Sequence, residues 1–327
     1  MTMTAQLRRV LLRPPGGSDG WERCGWRGEP DPVAIAHEHE SLCATLERAG
    51  AEVVLAEPTE GNPDAIYVFD PVLVADGGAI LLNPGKECRR GEPASLAPDL
   101  ERAGVPVAGS LNGDAHAEGG DLIRLDEDTL MAGRGYRTNS DGIWALERML
   151  PGVEMLVFDL PHWRGPDEVM HLLSLLSPLA PDLVVAYPPL LPTRLAQLLE
   201  ERDIEIVPVP DEEFETMGAN VLALAPRVAL AGARGRRGRD LRRHGAEQGR
   251  RRPNLPHAAA PPSRLSTSST ASSGDSARGT PSTAWPGSRI TTGRPRRSAK
   301  PISASVPQLP PTAITASPEA TTARLRA

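Results

Sequence analysis

From about residue 7 to residue 230 the chain alternates short apolar runs with longer segments whose apolar residues recur three or four positions apart. Runs of the first kind predict strands, and segments of the second kind predict amphipathic helices. Residues 9–13 (R-V-L-L-R) predict a strand, residues 31–50 a helix that stops at Gly50, and residues 51–56 a returning strand. Residues 66–85 hold two strand-like runs joined by D-G-G, a hairpin signature. A short helix at 95–104 and a strand at 105–108 follow. The cycle repeats with two short strands around an acidic turn at 120–133, a helix at 140–150 capped by Ser140 or Asp141, and a strand at 153–160. A compact apolar segment at 169–176, strands at 182–187 and 204–209 around a helix at 193–202, and two last strands at 220–224 and 227–230 complete it.

Hairpin, helix and strand thus recur roughly four times. A doubly wound parallel sheet shows one strand per helix, and this chain shows nearer three. It carries no G-x-G-x-x-G and no P-loop, which argues against a nucleotide fold. The rhythm predicts an α/β protein built as a radial repeat of small ββαβ-like modules.

After about residue 230 the texture changes. Residues 234–327 are dominated by Arg, Pro, Ser, Thr, Ala and Gly, with Trp285 the one aromatic residue and no Phe, Tyr, Met or Cys. That composition buries too little apolar surface to offset ordering entropy and predicts disorder. The chain therefore reads as a folded domain over 1–233 and a low-complexity tail over 234–327. The formal net charge of -6 conceals two unlike pieces, with 18 Lys/Arg against 4 Asp/Glu in the tail and 18 against 38 before it. The acidic domain would repel a phosphate backbone, so nucleic acid is expected only through the basic tail. A basic arm, a bland linker and a product of alternate-frame translation compete for the tail. The module rhythm stops mid-cycle and the composition suits GC-rich coding DNA read out of frame, which favours the third. Cys24, Cys43 and Cys88 are too few for a disulfide scaffold. With no signal peptide and no membrane-spanning apolar run, a cytoplasmic protein without membrane contact is expected.

Several polar residues stand beside predicted strands. Asp70 ends the run I-Y-V-F before a proline, Glu118 and Asp121 flank Gly119-Gly120, and His171 sits in V-M-H-L-L-S. Arg137 lies between a strand and a helix, and Arg89 and Arg90 follow an N-P-G turn. The paired glycines permit a tight bend or a positive φ, turning both acids toward one cavity. Carboxylates with a histidine suit a divalent metal, a glycosidase acid pair or a cationic substrate. A guanidinium matches carboxylates through charge-assisted forks, and Arg137 or Arg89 would hold a carboxylate at the other end of such a ligand. Taken singly, each of these residues reads as a turn acid or a core histidine. His37, His39, His116 and His162 read as structural or exposed.

At these residues the chain resembles the guanidine-modifying superfamily of arginine deiminases, dimethylarginine dimethylaminohydrolases and amidinotransferases. The resemblance covers about residues 7–230 and rests on P-D-A-I-Y-V-F-D-P-V-L-V (63–74), E-G-G-D-L-I (118–123), G-R-G-Y-R-T-N (133–139), H-L-L-S (171–174) and G-A-N-V-L-A-L (218–224). It implies a five-bladed α/β-propeller, here with its last module missing or disrupted. It implies that Asp70 holds the guanidinium and Glu118 grips it beside the reacting carbon, that Asp121 supports the turn, and that His171 is the acid/base. Arg137 would clamp the substrate carboxylate, assisted by Arg89 or Arg90. The absence of H-x-D around His171 tilts toward the dimethylarginine branch. The implied chemistry is metal-free and cofactor-free. A cysteine thiolate attacks the guanidinium carbon, and a thiouronium intermediate hydrolyses to citrulline. No cysteine follows Cys88, so the expected C-terminal nucleophile is missing and the chain is expected to be inactive. Cys88 itself is a weak substitute whose basic neighbours would lower its pKa. An amidinotransferase or deiminase homologue, a guanidinium-binding pseudoenzyme and a nucleic-acid-interacting protein stand as alternatives, and a homodimer stays open.

Overall fold

The computed structural model describes residues 2–231, except 18, 27 and 167–169, together with the backbone of residues 323–324. Apart from those two residues, the tail expected over 234–327, with its disorder and its reading-frame origin, lies outside the described residues.

Strands β1 (Arg9–Leu12) and β2 (Glu52–Leu55) pair in parallel across helix α1 (Pro32–Arg48). Asp31 starts that helix by accepting hydrogen bonds from the Val33 and Ala34 amides, with Pro32 at the first helical position. Three ββαβ modules follow. The first joins β3 (Val72–Ala75), β4 (Gly78–Leu81), α2 (Glu92–Arg102) and β5 (Val107–Ser110). The second joins β6 (Leu122–Arg124), β7 (Thr129–Arg134), α3 (Ser140–Met149) and β8 (Glu154–Asp159). The third begins with a single turn, α4 (Leu172–Leu175). It continues as β9 (Leu176–Ala180), β10 (Leu183–Ala186), α5 (Thr193–Glu201) and β11 (Glu205–Pro208). In each module the first two strands are antiparallel and the third pairs in parallel with the second. After α6 (Asp211–Phe214), β12 (Val221–Ala225) and β13 (Val228–Ala231) form a hairpin, and β14 (Ala323–Arg324) pairs with β13.

The modular α/β reading holds, but the five-bladed propeller with a missing or disrupted last module, implied by the resemblance, and the radial arrangement expected from the rhythm, are corrected. The strands lie in five separate short sheets, of two strands in one case and three in the others. Among the described residues no ladder joins one sheet to another, and none of the sheets curls into a barrel or ring. The rhythm of apolar positions counts modules; closure would need strand-level joining of the first and last, which local sequence does not encode. Here the two ends meet through the hydrogen bond from the Leu7 amide to the Leu224 carbonyl and through a small core in which Leu46 and Ala51 pack with Leu224, Val228 and Leu230. Several boundaries also differ, among them β5, found at Val107–Ser110 and not at 105–108, and β3, which starts at Val72 and not at 66. Asn139, not Ser140 or Asp141, caps α3 by accepting from the Gly142 amide, and α2 begins at Glu92 rather than Ser95.

Neighbouring modules are joined by shared cores. On β6 and β7, Leu122 and Leu130 face Leu73, Ile80, Leu82 and Leu146, whereas Ile123 and Met131 face Leu172, Val184 and Leu195. Consecutive strand residues point to opposite faces, so a strand buried on both sides must be apolar throughout. This is why L-I and L-M read as unbroken runs. The same stacking brings the turns that precede β3, β6 and β9 together.

Candidate active site

Asp70 lies just before β3, Glu118 and Asp121 just before β6, and His171 just before α4 and β9. These are equivalent positions in three successive modules. Arg89 and Arg137 are likewise equivalent, each between the second strand and the helix of its module. Modular repetition therefore assembles acids and a histidine from one kind of turn, and arginines from another.

The Gly119-Gly120 pair makes the approach possible, though not by the positive φ considered from sequence, since neither glycine adopts one. Close packing is the reason. A Cβ on Gly119 would stand 2.1 Å from the Phe69 carbonyl oxygen, and one on Gly120 would stand 2.8 Å from His171 Cγ. The freed amides are used. Gly120 N donates to Asp70 Oδ1 at 2.9 Å and Gly119 N to the Asp70 carbonyl at 2.9 Å.

Glu118 is fully buried and Asp121 nearly so. Glu118 Oε1 accepts from the Lys86 amide at 3.1 Å, and both its oxygens face Arg137 Nη1, at 3.2 and 3.1 Å. His171 bridges the two acids, with Nε2 3.4 Å from Glu118 Oε2 and Nδ1 3.3 Å from Asp121 Oδ1. The Nδ1 contact is electrostatic, without the alignment of a hydrogen bond. Asp121 is itself held by the Leu172 amide at 3.0 Å and by the Thr138 hydroxyl at 2.7 Å, and that hydroxyl accepts from the Glu118 amide. Burial alone would lower the pKa of His171, but Asp121, Asp70 and Glu118 outweigh it and raise it to about 9. The imidazole is therefore a cation at neutral pH. Burial pushes the Asp70 carboxyl up, yet His171 and Arg89 reverse this and hold it below its ordinary range.

Arg89, 3% exposed, donates to Asp70 Oδ2 at 2.5 Å and forks onto Glu92 at 2.8 and 2.7 Å. Its pKa is raised, because these bonds outweigh the cost of burial. Arg137 keeps about a fifth of its side chain exposed. Six of the seven residues singled out from sequence thus meet. Arg90 does not, and is exposed. Cys88 is corrected as well, since burial and the neighbouring Cys24 push its thiol up to about 12 despite Lys86.

Sequence reasoning missed Glu92, Thr138 and the Lys86 amide. Glu92 had a signal, standing three residues after Arg89 at the start of a helix. Thr138 and the amide had none, because their roles depend on contacts between distant segments. Asp70, Glu118 and His171 present ligand atoms within 4.8 Å of one another, a spacing that could hold a metal ion. Two guanidinium groups already press on those acids, so the arrangement suits a planar organic cation better.

The family described as N,N dimethylarginine dimethylhydrolase, eukaryotic, matches residues 32–230. The chain is 26% identical over 228 residues to the N(G),N(G)-dimethylarginine dimethylaminohydrolase of Pseudomonas aeruginosa, covering 68% of this chain and 84% of that protein. It is 29% identical over 224 residues to the enzyme of the same description from Streptomyces coelicolor, covering 66% and 79%. A solved Pseudomonas aeruginosa dimethylarginine dimethylaminohydrolase, a cysteine-to-serine mutant complexed with citrulline, superposes with a TM-score of 0.57 at 24% identity. It covers 70% of this chain and 85% of that one, and at this identity the likeness speaks to fold. No helix among the described residues is long and apolar enough to cross a membrane. The family match spans more than half of the chain and contains every residue of the cluster, and on that ground the chain belongs to the dimethylarginine dimethylaminohydrolase family of the guanidine-modifying superfamily.

Proposed function

We propose that residues 1–233 form the guanidinium-binding and acid/base part of a hydrolase for arginine or N-methylated arginine, within a chain that binds such ligands without turning them over. The observation that carries this reading is that buried Glu118 already holds a guanidinium, that of Arg137, through both carboxylate oxygens. A substrate guanidinium takes that place, flanked by Asp70, while Arg137 swings from Glu118 to the substrate carboxylate. Arg89 stays with Asp70 and Glu92 and keeps the first of them oriented.

In the complete reaction a thiolate adds to the guanidinium carbon, and His171, protonated at neutral pH, gives its proton to the departing amine. The neutral imidazole then takes a proton from water as water attacks the thiouronium carbon, and the adduct collapses with cleavage of the C–S bond, releasing citrulline and the thiolate. Asp121 orients His171 for both steps. The thiolate is what this chain does not supply: no cysteine follows Cys88, and the half-buried Cys88 thiol, its pKa pushed up, is a poor nucleophile.

Titration calorimetry of the full chain with N,N-dimethylarginine tests the reading, alongside a citrulline assay on the same sample. Saturable binding with no citrulline is expected. Absence of binding to both dimethylarginine and arginine refutes the guanidinium reading, and citrulline production refutes the missing nucleophile. The out-of-frame origin of the tail is tested on the gene. The two other frames beyond codon 230 should encode apolar strands, a glycine-rich run and a cysteine, and finding none of these rejects it.

A further inference from the structure

A second cluster lies beside the first and takes no part in that chemistry. Cys24, in the turn at 21–25, Asp64, in the 3-10 turn Pro63–Ile66, and Cys88, in the 3-10 turn Glu87–Arg89, bring two sulfurs and a carboxylate oxygen within 4.8 Å of one another. Cys24 is 2% and Asp64 5% exposed, and both cysteines are free thiols. Their partners are ordered. Trp26 Nε1 donates to Asp64 Oδ1 at 2.7 Å, which leaves Oδ2 facing Cys88 Sγ at 3.9 Å. Cys24 Sγ lies 3.5 Å from Asn62 Oδ1. The Asn62 amide nitrogen is committed to Glu92 and to the Cys88 carbonyl, so this oxygen is turned toward the sulfur.

A cation already sits in this box. Lys86 Nζ donates to Asp64 Oδ2 at 2.5 Å and to the Cys24 carbonyl oxygen. Charge counting shows what else the box accepts. With both thiols protonated, Asp64 and Lys86 cancel. With a divalent ion bound to two thiolates and the Asp64 carboxylate, the set carries one negative charge, which Lys86 again cancels. The buried region is neutral in both states, so exchanging two thiol protons for one divalent ion leaves no uncompensated charge. Two soft sulfurs and one carboxylate oxygen form a three-ligand set suited to a tetrahedral, thiophilic ion with one position open to water.

We propose that Cys24, Cys88 and Asp64 form a binding site for a thiophilic divalent cation of the zinc class, with Lys86 as the balancing charge. The site ties the segment at 21–26 to the turns at 62–64 and 86–88. Its ligand side chains are not those of the guanidinium reading, although the two clusters adjoin, with the Lys86 amide bonded to Glu118 and Arg89 Nη2 3.4 Å from the Asp64 carbonyl oxygen.

The test is a titration of the full chain, reduced and stripped of metal, with Co²⁺ under exclusion of oxygen. A thiolate-to-cobalt charge-transfer absorption that saturates at one ion per chain and is displaced by Zn²⁺ is expected. Cys88→Ser and Asp64→Asn, each shown by circular dichroism to keep the wild-type spectrum, should lose the band or its saturation, and Cys43→Ser should retain both. Thermal unfolding of the wild type should move upward with Zn²⁺ and that of Cys88→Ser should not. An absent band, a band that survives in Cys88→Ser, or one abolished by Cys43→Ser overturns the proposal. So does conversion of Cys24 and Cys88 to a disulfide with no metal bound.

Discussion

Replacing Asp121 with asparagine isolates the electrostatic control of His171. In the native site Nδ1 lies 3.3 Å from Asp121 Oδ1. At an effective dielectric constant of about 20, a unit charge at that distance interacts by about 5 kcal/mol, equivalent to between 3 and 4 pKa units as an upper figure. Asp70 and Glu118 remain after the substitution, as does the burial that opposes them. His171 should therefore fall from about 9 by at least about 2 units, to near or below its ordinary value. Asparagine keeps one oxygen for the Leu172 amide but leaves the Thr138 hydroxyl without its acceptor, at a cost of about 1–3 kcal/mol. The assay is a nitrogen-15 titration of the imidazole, with His171 assigned from the His171→Gln spectrum. The linkage sign is fixed by the raised native pKa. Stability from protonated His171 is fully present below its unfolded pKa of 6.5 and is lost as pH rises through about 9. Wild-type stability should therefore decline over that window by up to about 3 kcal/mol, and Asp121→Asn should show little of the decline. A His171 pKa within about half a unit of the wild-type value would refute the assignment of Asp121 as the leading charge.

Three further outcomes follow from the packing. Gly119→Ala places a methyl against the Phe69 backbone, which cannot yield, and should cost about 1–3 kcal/mol or more in urea unfolding; Gly77→Ala, with open space around it, should be near neutral. Arg89→Ala strands buried Glu92 and half-buried Asp70 and should destabilise the fold by about 3–5 kcal/mol, measured in the same way. On the acid side, Asp70 has a lowered pKa, so its contribution is present above the ordinary carboxylate range and is lost as pH falls through the lowered value; Asp70→Asn should flatten that part of the stability curve.

What could be read from the sequence divides along physical lines. Strands β6 and β7 and helix α5 were legible because periodicity is local, and the E-G-G-D turn was legible because two adjacent glycines permit a tight bend. That they also allow a close approach was not legible, nor was its cause. It is the carbonyl of Phe69 and the ring of His171, both about 50 residues distant in the chain. Asp70, Glu118, Asp121, His171, Arg89 and Arg137 could be chosen because they stand beside predicted strands and turns and, Arg89 apart, together match the motifs of the resemblance; taken singly none was specific. Arg90 shares Arg89's composition but faces outward, and only the 3-10 geometry of the turn distinguishes them. The thiol of Cys88 was misjudged for a similar reason. Basic neighbours in sequence suggested a lowered pKa, whereas burial against Cys24, 64 residues earlier, sets the sign. The propeller arrangement was over-read, since a repeating rhythm counts modules and says nothing about how their sheets are arranged around one another.

The most direct test of the account compares dimethylarginine binding to the wild-type chain and to Glu118→Gln by calorimetry at neutral pH. Glutamine keeps the shape of the buried side chain and removes the charge that now holds Arg137. The account predicts saturable binding to the wild type and a loss of at least about 100-fold in Glu118→Gln, as expected for removing one partner of a buried charge-assisted pair. Equal affinity in a folded Glu118→Gln protein would contradict the claim that this carboxylate is the guanidinium grip.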